Sequence, residues 1–129
     1  MGSELFEQGL KIRKDVLGAD YVEKALNEAP DFSQEFQRLV TEYCWGGIWG
    51  SDNLDRRQRS LLNLGMLAAL GRMVEWELHF RGAFKNGLTR DELKDTLLQI
   101  AVYCGVPAGV ECFRIANRVL AEMDSGDDE

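Results

Sequence analysis

Apolar positions recur at helical spacing along most of the chain, and no segment alternates with period two over five residues. Residues 3–16 read as a first helix closed near Leu17-Gly18, where a glycine suits the left-handed stop. A short helix from about Tyr21 to Asn27 precedes Ala29-Pro30-Asp31. A third helix runs from Asp31 or Phe32 to Tyr43, with Phe32, Phe36, Leu39, Val40 and Tyr43 on helical spacing. Three glycines between Trp45 and Gly50 predict a break, and Ser51–Asn53 a turn. Asp55 with Gln58 resembles a capping box and opens a fourth helix, whose nearly all-apolar stretch from Leu61 predicts a central buried element. Gly71 and Arg72 interrupt it, and a fifth helix, Met73 to Lys85, ends at Asn86-Gly87. Thr89 with Glu92 forms a full capping-box signal for a sixth helix, with Leu93, Leu97, Ile100, Ala101 and Cys104 on its core stripe. Gly105 stops it, and Pro107 fits the first turn of a seventh helix whose Val106, Val110, Phe113, Leu120 and Met123 fall mostly on one face. The expectation is an all-α domain of about six to seven helices over residues 1–123, followed by a frayed acidic tail at 124–129.

Composition narrows the class. With 129 residues, 45% hydrophobic and 29% charged, the chain suits one domain with a real core and excludes intrinsic disorder. No apolar run approaches the ~20 residues of a membrane span, and the start lacks the apolar stretch of a secretory signal. Three cysteines (Cys44, Cys104, Cys112) without a CxxC pair argue against a disulfide scaffold or zinc ribbon and suit a reducing compartment. A cytoplasmic protein is expected. The net charge of −7 argues against a nucleic-acid partner. Charge is uneven, however: Arg56, Arg57, Arg59, Arg72, Arg81, Lys85 and Arg90 face only Glu75 and Glu77 between residues 56 and 90. That island is either a set of solvated helix faces or a positive pocket for a small anion.

His79, the only histidine, sits in the fifth helix with Glu75 four positions earlier, so the two project about 40° apart on one face. Such a pair handles protons, since the carboxylate fixes the imidazole tautomer and favours its charged form; a plain structural helix pair is the competing reading. Glu77 points elsewhere and reads as a surface charge. No metal is expected, because HExxH is absent and a zinc site wants three or four ligands. The cysteines read as buried inert thiols rather than nucleophiles. Trp45 and Trp49 suit core packing or a subunit contact more than ligand stacking. Arg56, Arg57 and Arg59 open a helix where cations oppose the macrodipole, so a bound anion there would relieve the conflict; solvated arginines are the alternative. Arg81 belongs to a different face from His79 and suits subunit contacts.

Several blocks in register carry a resemblance. Val74–Thr89 looks like the signature segment of the carboxymuconolactone decarboxylase family, and Ile100–Ala108 is similar to its second signature. Phe36-Gln37, Tyr43–Trp49, Leu54–Leu62 and Gly9–Gly18 match as well, so the likeness spans roughly residues 5–120. The subgroup resembled is the 4-carboxymuconolactone decarboxylases. The resemblance implies an all-α fold shared with the AhpD-type alkylhydroperoxidases, assembled as trimers or hexamers. Those peroxidases place a CxxC ahead of a histidine; Gly71–His79 contains no cysteine, which disfavours dithiol chemistry. One turn departs from the subgroup: its usual Arg-Pro-Gly-Leu is here Ser51-Asp52-Asn53-Leu54, which weakens recognition of a multiply anionic substrate if that turn contacts it.

The resemblance implies cofactor-independent decarboxylation of 4-carboxymuconolactone, or a related lactone acid, to the 3-oxoadipate enol-lactone in aromatic (protocatechuate) catabolism. His79 would donate the proton or support the dienolate, with Glu75 orienting it. Arg59, or next Arg56, would anchor a carboxylate, and Tyr103, Trp45 and Trp49 would wall the pocket. The expected partner is a small anionic lactone, with neither nucleic acid nor membrane, in a homo-oligomer that needs no cofactor. The competing readings are a thiol peroxidase of the same fold and a non-catalytic oligomeric accessory protein.

Overall fold

The computed structural model describes residues 3–126, and the described residues form seven α-helices and one π-helix, with no strand. They fall into two compact units, Met1–Arg56 and Arg57–Glu129.

The first unit contains α1 (Glu4–Leu17), α2 (Ala19–Asn27), α3 (Asp31–Leu39) and a π-helix (Val40–Ile48). Ser3 caps α1, its hydroxyl accepting from the Phe6 N–H at 2.9 Å, and Gly18 turns the chain into α2 with a positive φ of 98°. α1 buries Phe6, Gly9, Ile12, Arg13 and Val16, a stripe at helical spacing. That stripe meets the π-helix at backbone distance: a Cβ on Gly9 would lie 1.9 Å from the Thr41 carbonyl oxygen, and one on Gly46 would lie 2.7 Å from the Leu5 oxygen. The expected break at Trp45–Gly50 is therefore replaced by helix through Ile48, with the turn at Trp49-Gly50. Gly46 serves as a close-approach residue against α1, a use of glycine that a breaker rule does not anticipate. Trp45 and Trp49 stack at 4.8 Å and complete a core with Ile12 and Val16. The α3 stripe faces outward, Phe32 being 98% and Phe36 61% exposed.

The second unit holds the rest of the helices: α4 (Arg56–Leu70, whose first residue closes the first unit), α5 (Met73–Lys85), α6 (Arg90–Cys104) and α7 (Val106–Ser125). The Thr89–Glu92 capping box is formed in full, and Gly105, with φ 104°, joins α6 to α7. Trp76 anchors the core: it is fully buried, stacks on Phe80 at 5.2 Å and donates its indole N–H to the Leu64 carbonyl at 3.1 Å. Leu93, Leu97, Ile100, Cys112, Ile115, Ala116 and Val119 close the same core from α6 and α7.

Three expectations change here. α4 buries only Ser60, Leu64 and Ala68, while Leu61, Leu62, Met66 and Leu70 are exposed, so it presents one stripe to the core rather than its whole surface. On α6 the stripe ends at Ile100: Ala101 is half-buried and Cys104 exposed. On α7 the core face is Gly109, Cys112, Ile115, Ala116 and Val119; Val106 and Val110 are exposed, while Phe113, Leu120 and Met123 flank the core. Glycine is required at 109 because α7 lies close on α6 there: a Cβ on Gly109 would meet Ala101 Cβ at 2.6 Å. The helix continues through Asp124, which pairs with Arg90, to Ser125; residues 127–129 of the expected tail lie outside the described residues.

Candidate active site

α5 exists because Gly71 and Arg72 end α4 and a fresh amphipathic run starts at Met73. Its buried face is Trp76, Phe80, Gly82 and Ala83, which leaves His79 on the flank of the core, partly buried, and Glu75 exposed in the first turn. Burial pushes the His79 imidazole down to about 4; the Glu75 carboxylate pulls the other way and is outweighed. The expectation that Glu75 keeps the ring charged is thereby corrected: at neutral pH the ring is neutral, with one nitrogen donating and one accepting.

The depressed value has a consequence for stability. Between about pH 6.5 and pH 4 the unfolded chain binds a proton at His79 that the folded chain does not, so stability is full above this window and falls as pH drops through it. The loss is expected to reach up to about 3 kcal/mol. Urea midpoints measured across the window should show it, and His79→Phe should flatten the curve.

The cationic island resolves into ion pairs. Arg56 pairs with Asp15 at 3.3 Å and Arg57 with Glu92 at 2.6 Å. Arg81 pairs with Glu77 at 2.9 Å and Glu122 at 2.6 Å, and Arg90 with Asp124 at 2.5 Å. These four cations meet carboxylates drawn wholly, or for Arg81 partly, from beyond residues 56–90, which sequence order concealed. Glu77 is corrected from a surface charge to the centre of a half-buried network, since it also accepts from Arg118 at 2.7 Å. Those guanidinium bonds hold its carboxyl below the usual range. Arg81 is committed to the same network.

Arg59 is half-buried in the first turns of α4, in the same unit as His79 and Glu75. Tyr103 is 83% exposed near the end of α6. In the first unit a groove of about 340 Å³ brings Trp49 and Arg56 together with Gln8, Gly50, Ser51 and Asp52. Trp45 lies in the core, stacked on Trp49. The groove also carries Asp55, so its wall is more acidic than an arginine cluster suggests. Among the thiols, Cys112 is buried and pushed up to about 11 by desolvation, and Cys44 is half-buried with its thiol also raised by burial; neither is a thiolate at neutral pH.

Sequence reading passed over Arg13, a buried cation on α1. The available signal was its position: Gly9, Arg13 and Val16 fall on one helical stripe with Phe6 and Ile12, and a cation on an apolar stripe is unusual.

Arg59, Glu75, His79 and Tyr103 lie within the stretch of the chain that is similar to known proteins. The chain is 44% identical over 124 residues to the nitrosuccinic acid decarboxylase npaB of Metarhizium robertsii, covering 95% of this chain and 87% of that protein. It is 38% identical over 118 residues to the 4-carboxymuconolactone decarboxylase of Acinetobacter baylyi, covering 92% of this chain and 88% of that protein. The pattern defining the carboxymuconolactone decarboxylase family matches residues 34–118, a span that includes Arg59, Glu75, His79 and Tyr103. With a single helical histidine–carboxylate pair inside that span and two relatives aligned over nearly the full length, this chain belongs to the carboxymuconolactone decarboxylase family.

Proposed function

We propose that the protein is a cofactor-independent decarboxylase acting on 4-carboxymuconolactone or a related lactone acid, forming the 3-oxoadipate enol-lactone and CO2 in aromatic catabolism in the cytoplasm. The observation that carries this reading is the likeness to two acid decarboxylases over nine-tenths of the chain, through the helix that holds Glu75 and His79. The acids in those two names share a chemical logic. Each bears a carboxylate whose electrons can pass to a group within the molecule, a conjugated lactone carbonyl in one and a nitro group in the other. The substrate supplies its own electron sink, so the protein's tasks are to desolvate the carboxylate, stabilise the carbanion equivalent and deliver one proton.

His79 is suited to the last two tasks. A neutral ring flanking an apolar core takes up a proton when an anionic substrate replaces water beside it, because the added negative charge favours imidazolium. As the C–C bond to CO2 breaks, its electron pair moves into the conjugated carbonyl, and the imidazolium returns its proton to the α carbon. Glu75 orients the ring. Arg59 anchors a substrate carboxylate; Arg56 is a weaker anchor, because Asp15 already holds it. Tyr103 offers an aromatic contact on the second unit, and Trp49, backed by Trp45, offers one in the groove of the first.

The active form in this reading is a homo-oligomer, a trimer or hexamer. Its support is the exposure of large apolar side chains on α4, α6 and α7, with Leu70 72%, Val102 77%, Tyr103 83% and Val106 69% exposed. Among the described residues no helix is long and apolar enough to cross a membrane.

The test is incubation with 4-carboxymuconolactone and, in parallel, with nitrosuccinate, following CO2 release and the organic product. Release from the lactone with formation of the enol-lactone is the expected result; release from nitrosuccinate alone would move the substrate to the nitro acid, and release from neither would end the reading. Light scattering on the same preparation is expected to give the mass of three or six chains.

A further inference from the structure

Among the described residues Arg13 is the charged side chain that the fold buries, with 5% exposure. Its Nη1 donates to Gln37 Oε1 and to Thr41 Oγ1, each at 3.1 Å, and its Nε is buried with no hydrogen-bond partner. Both acceptors are neutral, and no carboxylate pairs with it among the described residues. A guanidinium enclosed this way keeps its charge at a desolvation cost, and an apolar side chain of similar length would pack as well without that cost. Space-filling therefore does not account for it.

The acceptors lie at one particular place. Gln37 is in α3 and Thr41 is the second residue of the π-helix, so the guanidinium spans the junction where α hydrogen bonding gives way to the wider π pattern. Thr41 is pinned three times there: its hydroxyl accepts from Arg13 and donates to the Gln37 carbonyl at 2.8 Å, and its own carbonyl packs against Gly9. A π-helix turns less per residue than an α-helix. If the junction relaxed to α geometry, every side chain beyond it would swing around the axis, Trp45 and Trp49 most of all. Trp49 forms part of the groove that also holds Arg56.

We infer that Arg13 is a positioning residue for substrate binding: by clamping Gln37 and Thr41 it fixes the π-helical register, and through that register the orientation of the Trp45–Trp49 stack. The inference rests on the proposed decarboxylase reading for its effect on substrate, whereas its effect on the tryptophans is independent of any activity.

The experiment compares the full-length protein with Arg13→Met, which removes charge and hydrogen bonds at similar length, and Arg13→Lys, which restores the charge and one donor group. Two tryptophan rings stacked at 4.8 Å couple excitonically in circular dichroism, and Arg13→Met is expected to lose most of that couplet while keeping its helical signal. KM for the acid substrate is expected to rise about tenfold with kcat changed little, as follows when a binding wall is misplaced and the reacting groups are not. Arg13→Lys should recover part of both. An unchanged couplet in folded Arg13→Met overturns the inference, as does a fall in kcat at constant KM. If Arg13→Met does not fold, Thr41→Val removes one of the two acceptors and must weaken the couplet in the same sense. Should wild type release CO2 from neither acid, the decarboxylase reading fails while the couplet alone still decides the role of Arg13.

Discussion

Replacing His79 with alanine is expected to lower turnover by about 10²–10⁴-fold while leaving helical content and assembly intact. The size follows from the proposed role: the proposed step needs a positioned acid for the α carbon, and His79 is the only histidine in the chain. The structure makes the outcome readable, because His79 flanks the core rather than filling it, so the fold survives its loss. Glu75→Gln is expected to cost less, roughly tenfold, since in the proposed mechanism this exposed carboxylate acts only through the ring and does not touch the proton's destination. Steady-state kinetics with CO2 detection would check both, beside circular dichroism and light scattering. Near-normal turnover in His79→Ala would remove the imidazole from the mechanism and turn attention to the arginines of α4.

Gly9→Ala is expected to produce the largest loss of stability, about 3 kcal/mol or more. The added Cβ would sit 1.9 Å from the Thr41 carbonyl oxygen, and both sides of the clash are helical backbone, so neither α1 nor the π-helix can yield without moving as a whole. Gly65→Ala supplies the contrast. Nothing lies within 4 Å of a Cβ there, and the substitution inside α4 is expected to stabilise by about 0.5–1 kcal/mol. Urea unfolding of the two variants beside wild type would separate them. A mild effect at Gly9 would mean that the contact between α1 and the π-helix is looser than described.

The same glycine contrast shows why most helix boundaries were legible, Leu17-Gly18, Asn27 and Asp31 among them, and the one around Trp45 was not. Thr89 with Glu92, Asn86-Gly87 and Gly105-Val-Pro107 are local devices: each satisfies or frees backbone groups within a few residues, so they read correctly without knowledge of the fold. The glycines around Trp45 are different. They look like a break, yet Gly46 sits inside a π-helix because α1, some forty residues earlier, needs that much room. Core stripes failed for a related reason. On α7, Val106 and Val110 outrank Gly109 in hydrophobicity, but the face turned to α6 is the one that carries Gly109, where close approach to Ala101 leaves no room for a side chain.

Among the candidate site residues, the sequence itself determined the helical class and the placement of Glu75 and His79 one turn apart on one helix, because both depend on spacing along the chain. Partnership across the fold had to await three dimensions. Burial, which outweighs Glu75 and discharges the imidazole, is a property of the packed α5 flank and cannot be read from neighbours in the chain. Four cations of the apparent positive island pair with Asp15, Glu92, Glu122 and Asp124, and Arg13 is enclosed against Gln37 and Thr41, because groups separated in sequence by dozens of residues meet only after the helices pack.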